Sequence, residues 1–148
     1  MTRITHQYLA SCSPAQIWAV LSDLTAVPAY NPTVKTARRI GQSGNGPGAM
    51  RECDLNPKGK VSERVTLWEE GRALGLEIVE SDWPVSSMSW VTRIEPHGNG
   101  ARVSQTLDYS MKFGPLGWVL NALVMRRAVT KNVGIALQGM IALAGKTL

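Results

Sequence analysis

The chain has 148 residues, 44% hydrophobic and 18% charged, which excludes a disordered protein and leaves one domain, residues 1–148, with material for a real core. Its formal net charge is +5 and its sequence pI is near 9.6. The basic residues are dispersed, with Arg38-Arg39 and Arg126-Arg127 only as pairs, so nucleic acid is not an expected partner.

In chain order, residues 3–10 alternate, with Ile4, His6 and Tyr8 on one face, and predict a first strand. Ser13-Pro14-Ala15-Gln16 predicts a helix start. Ser13 caps, Pro14 takes the first helical position and Gln16 reaches back. Ile17, Trp18 and Leu21 continue a short amphipathic helix to about residue 23. Pro28 and Pro32 end that pattern, and a second short helix or turn fits between Leu24 and Tyr30. Residues 33–40 predict a strand. Residues 41–48 are a glycine-rich connector whose spacing resembles part of a phosphate-binding loop. Such a loop joins a strand to a helix, whereas this one leads into the alternating residues 49–55, so it is expected to be a hairpin loop.

Asn56-Pro57-Lys58-Gly59 is a turn. Residues 61–68 predict a strand with Val61, Val65 and Leu67 on one face and Glu63 among them. Residues 73–80 align Leu74, Leu76 and Ile78; residues 87–95 align Met88, Trp90, Thr92 and Ile94. The last strand, 101–113, places Gln105, Leu107 and Tyr109 on its apolar face, and a slip of one would bring Asp108 inward instead. From Pro115 to Leu148 one helical pattern recurs at Leu116, Leu120, Leu123, Val133, Leu137, Met140, Ile141 and Ala144. Consecutive strands joined by tight turns imply an antiparallel sheet, wet on one face and covered on the other by this helix. The expected class is α+β: a curved sheet wrapped around a long C-terminal helix, with two short N-terminal helices and a gap between sheet and helix.

Cys12 and Cys53 lie far apart, and no residue cluster has metal-ligand or triad spacing, so neither a metal nor another cofactor is expected. His6 is expected as a core or rim residue and His97 as a solvated turn residue. No secretory signal pattern opens the chain and its apolar runs are too short to span a bilayer, so the expected location is cytoplasmic.

Several motifs carry a resemblance. Residues 13–23 open as Ser-Pro-x-x-Ile-Trp-x-x-Leu-x-Asp; Pro28, Tyr30, Pro32 and Val34 follow; Gly48 and Arg51 precede Gly59 and Glu63-Arg64-Val65; and Lys112-Phe113-Gly114-Pro115-Leu116-Gly117 leads into the final helix. Over essentially the whole chain this resembles the START-like, or SRPBCC, helix-grip superfamily, and most closely its polyketide cyclase/dehydrase and lipid-transport branch. The resemblance implies that Arg51, Cys53 and Leu55 face inward with Glu63, and that Asn31 occupies a place where related hormone receptors anchor a ligand. Asn56-Pro57-Lys58-Gly59 departs from those receptors, which carry an apolar gate there.

A carboxylate on an apolar strand face needs a partner, and Arg51 is the expected partner of Glu63. Two readings follow: a polar pair that orients a ligand or moves a proton, or a buried ion pair that fixes strand register. Gln105 and Tyr109 offer hydrogen bonds inside an apolar wall. Asn31, Cys53, Leu55, Val65, Leu76, Trp90 and Leu107 complete the expected wall from the sheet side. Leu123, Arg127, Thr130 and Gly134 are expected from the helix, where small or polar residues interrupt the stripe and would leave volume. Three functions are weighed: binding or transport of a small hydrophobic molecule; a polyketide aromatase/cyclase-type enzyme using Glu63, Arg51 or Tyr109; and a peripheral membrane or partner-binding module with apolar residues near Trp83 and Trp118. Binding or transport is favoured, with weak membrane association and an open oligomeric state.

Overall fold

A computed structural model describes residues 1–41 and 44–146. Gln42 and Ser43 of the glycine-rich connector, and Thr147 and Leu148 at the expected end of the final helix, lie outside the described residues.

Strand β1 (Thr2–Ala10) is followed by helix α1 (Pro14–Leu21), a single 3₁₀ turn (Val27–Ala29) and strand β2 (Val34–Ile40). Five more strands follow: β3 (Met50–Leu55), β4 (Lys60–Glu69), β5 (Ala73–Ser81), β6 (Val85–His97) and β7 (Gly100–Met111). The chain closes with α2 (Gly114–Leu120), a π-helical segment (Asn121–Met125) and α3 (Arg126–Gly145). The seven strands form one antiparallel sheet in the order β1-β7-β6-β5-β4-β3-β2. The expected helix-grip α+β architecture is the one observed, with the second N-terminal helix reduced to the 3₁₀ turn, whose chain is constrained by Pro28.

The start of α1 forms as its sequence dictates. Ser13 Oγ accepts from the Gln16 N–H at 3.2 Å and Gln16 Oε1 accepts from the Ser13 N–H at 2.8 Å, which satisfies two of the donors that a helix end leaves open. Ile17, Trp18, Val20 and Leu21 are buried. Trp18 meets Trp68 edge to face at 5.3 Å, and both indoles donate to the Glu70 carboxylate. Trp68 reaches that contact because the β4–β5 register shifts between Val65 and Leu67. Leu67 therefore stands opposite Gly75, away from the core, and Trp68 takes the inward place that alternation assigned to Leu67.

The outer face of the sheet is polar. Arg3 pairs with Asp108, Arg38 with Glu52 and Asp54, and Arg64 with Glu77. The first pair settles the register of β7: Asp108 faces outward and Tyr109 is fully buried. The inner face is covered by α3 through Val133, Leu137, Met140 and Ala144, which are buried against the core. Helix α3 packs on α1, β1 and the 3₁₀ turn. It is thus drawn to one side of the sheet and leaves the inner faces of β3 to β6 short of cover.

Gly139 sets how closely the helix approaches. A Cβ there would stand 2.5 Å from the Tyr30 carbonyl oxygen, far inside van der Waals contact, so only glycine lets α3 close on the segment after the 3₁₀ turn.

Candidate functional site

Between the uncovered part of the sheet and α3 lies a cavity of about 140 Å³. Its wall is mostly aliphatic and aromatic: Leu55, Val61, Leu74, Leu76, Met88 and Leu107 come from the strands. Val129, Val133, Ala136, Leu137 and Met140 come from α3. The partly exposed Asn31, Thr33 and Trp83, with the exposed Asn132 of α3, mark its rim.

One polar pair stands inside this wall. Arg51 of β3 lies directly across from Glu63 of β4 in the strand register. Both are buried, and Arg51 Nε donates to Glu63 Oε2 at 2.5 Å. Arg51 Nη1 also donates to the Leu24 carbonyl at 3.2 Å. Burial alone would lower the pKa of Arg51, but the Glu63 carboxylate and the Tyr30 hydroxyl hold it above its ordinary value, so the guanidinium is charged throughout the working range. Tyr30 lines the same end of the cavity. Burial raises its pKa against the opposing pull of Arg51, which is within hydrogen-bonding reach, so its hydroxyl keeps its proton at neutral pH.

The pair has capacity left over. A guanidinium has five N–H donors and a carboxylate about four acceptor positions. Arg51 engages two donors in the bonds above and a third toward the Tyr30 hydroxyl, and Glu63 accepts one. The remaining N–H groups and carboxylate lone pairs offer a donor and an acceptor side by side. A second polar contact lies on the sheet, where Thr92 Oγ1 donates to Gln105 Oε1 at 3.1 Å.

Of the residues expected from sequence, Asn31, Arg51, Leu55, Glu63, Leu76, Trp90, Gln105 and Leu107 line the cavity. The others do not. Cys53 faces inward but does not reach the cavity; it packs against Val27, Val34, Leu55 and Val61, which do line it. Val65 is buried in the main core. Tyr109 is turned to the π-helical segment: its Oη donates to Asn121 Oδ1, and Asn121 Nδ2 donates to Thr2 Oγ1 at 3.1 Å. Leu123 is 68% exposed and Arg127 is also exposed, because the first turns of the final helix stand outside the grip. Thr130 Oγ1 donates back to the Arg126 carbonyl. Gly134 does not supply volume but permits contact, since a Cβ there would come within 3.0 Å of Tyr8 Oη.

His6 lies under the same point, stacked on Tyr8 with ring centroids 6.0 Å apart, and its Nε2 is buried without a partner. Among the described residues no group of His, Cys, Asp and Glu could hold a metal ion. Sequence reasoning missed Tyr30 and Trp83 as cavity residues. Both lie in irregular segments, where no periodicity assigns a direction to a side chain.

Cys53 yields a direct test of the packing. Burial first, and the nearby Glu63 carboxylate second, push its thiol up to about 11. The thiolate is then a fraction of about one in a thousand near pH 8, and the sulfur has no exposed surface. Alkylation by iodoacetamide, followed by peptide mass mapping, is expected to modify Cys53 at least about a hundredfold more slowly in the native protein than in urea.

The family described as polyketide cyclase / dehydrase and lipid transport matches residues 1–145. No protein of curated function matches the chain in sequence. Among solved structures, TTHA0849 from Thermus thermophilus superposes with a TM-score of 0.83 at 17% identity, covering 99% of each chain. XoxI from Bacillus cereus gives 0.76 at 14% identity over 96% of this chain and 94% of its own. Ara h 8.0201 gives 0.75 at 14% identity over 98% of both. At such identities these likenesses concern the fold alone. Among the described residues no helix is long and apolar enough to cross a membrane.

Proposed function

This chain belongs to the polyketide cyclase / dehydrase and lipid transport family, and from that premise we propose that it binds a small, mainly apolar molecule carrying one uncharged oxygen, a phenol, alcohol or ketone. The family supports a hydrophobic ligand. The finer part of the reading rests on a single observation: the only charged residues lining the cavity, among those described, are Arg51 and Glu63, and they neutralise each other. A ligand carboxylate would bring an unmatched charge into an apolar space, which costs far more than a neutral group does. A hydroxyl can accept from Arg51 and donate to Glu63, and so uses both leftover valences.

The volume sets the scale. A dry cavity of roughly 150 Å³ accepts a molecule the size of benzene, which sets a single ring with a short substituent as the size scale. Binding is favoured over turnover because the expected acid–base groups are already engaged, Glu63 by Arg51 and Tyr109 by Asn121.

Calorimetric titration with three probes of one shape tests the reading. Para-propylphenol is expected to bind about tenfold more tightly than propylbenzene, which leaves the polar pair unanswered, and than para-propylbenzoate, which adds a charge. Tightest binding by the benzoate, or no binding by any of the three, would overturn it.

A further inference from the structure

The final helix begins with an anomaly. Residues 113–125 contain no charged side chain, and their one polar side chain, Asn121, is engaged with Tyr109 and Thr2. A helix that is apolar all round is normally enclosed by protein or lipid. This one packs on one side only. Phe113, Leu116, Trp118, Val119, Leu123 and Val124 are between 44% and 71% exposed. Leu116, Val119 and Leu123 follow three- and four-residue steps, so they share the face turned away from the sheet.

Charge identifies what covers that face. From residue 109 to the end the sequence has no Asp or Glu and five basic residues: Lys112, Arg126, Arg127, Lys131 and Lys146. The other eleven Lys and Arg match the eleven acidic residues of the chain, so the whole formal net charge of +5 belongs to this segment. Lys112 and the Arg126-Arg127 pair bracket the apolar stretch directly. Thirteen helical residues measure roughly 20 Å, too short for a bilayer core of about 30 Å, so the segment can lie in an interface but not span it.

We propose that the outer face of α2 and the π-helical segment docks on an anionic phospholipid bilayer, with Leu116, Val119 and Leu123 in the acyl boundary, the exposed Trp118 at the edge of that face, and Arg126 and Arg127 against lipid phosphates. Apolar insertion and basic anchoring are the two terms that hold an amphipathic helix at such a surface. A second copy of the chain fits less well, because a two-fold contact through this face would set the same basic residues against each other. None of the three inserting residues lines the cavity. The docking therefore stands or falls apart from the identity of the cavity's ligand.

Vesicle flotation tests it. The protein is expected to float with phosphatidylcholine vesicles containing about one third phosphatidylserine, and to bind pure phosphatidylcholine at least about tenfold more weakly, with binding to the mixed vesicles falling as salt rises. The double variant Leu116→Glu/Leu123→Glu should lose at least about tenfold on mixed vesicles. Arg126→Gln/Arg127→Gln should lose as much there while changing little on the neutral ones. Brominated lipid should quench a part of the tryptophan emission that disappears in Trp118→Phe. An unchanged urea-unfolding midpoint for each variant confirms that it is folded. Binding indifferent to phosphatidylserine, absence of binding, or a lipid-free dimer dissolved by Leu123→Glu would each overturn the proposal.

Discussion

Replacing Arg51 with alanine is expected to destabilise the protein by about 3–5 kcal/mol, the largest loss from any single truncation in the cavity wall. The variant would leave the Glu63 carboxylate in an apolar wall without its partner. Glu63 would then have to protonate, admit water or unfold its surroundings. The Leu24 carbonyl would lose its donor as well. Urea unfolding of the single and double variants separates the interaction from its consequences. Arg51→Met/Glu63→Leu keeps volume and removes both charges, so it should recover most of the stability lost in Arg51→Ala. It should also bind para-propylphenol no better than propylbenzene. Recovery of stability with the phenol preference intact would mean that the pair fixes the strands but does not receive the ligand.

The second large effect is expected on binding and not on folding. Ala136 lines the cavity from the partly exposed side of α3. An indole placed there projects into a space of about 140 Å³ and fills much of it. Ala136→Trp should weaken para-propylphenol binding by at least about a hundredfold, while overpacking costs only about 1–3 kcal/mol of stability. Calorimetry and a urea titration on the same variant measure both quantities.

The inner face of the sheet was legible because alternation is a property of the strand itself. Met88, Trp90, Thr92 and Ile94 were assigned together, and they face the interior together. The capping box at Ser13 was legible for the same reason: every atom it needs lies within four residues. What stayed hidden depends on partners distant in sequence. A bulge after Val65 exchanged Leu67 for Trp68, and no composition rule announces a bulge.

Gly134 read as missing volume and proved to be a close contact, since a glycine allows either until its neighbour is known, here Tyr8. Tyr109 read as a cavity hydroxyl, but Asn121, on the helix that follows, claimed it. The apolar stripe through Leu116 and Leu123 continued the helical period without revealing that none of the described residues covers it. Periodicity tells which residues share a face, and only the fold tells what that face meets.

The ligand is expected to sit in the space between the sheet and α3. Heteronuclear NMR with intermolecular NOEs from bound para-propylphenol tests it most directly. NOEs to side-chain protons of Leu76, Met88, Leu107 and Val133 are expected, with the aromatic hydroxyl end nearest Tyr30 and Arg51. NOEs confined to Leu116, Trp118 and Leu123 on the outer helix face, with the cavity methyl groups silent, would contradict the account.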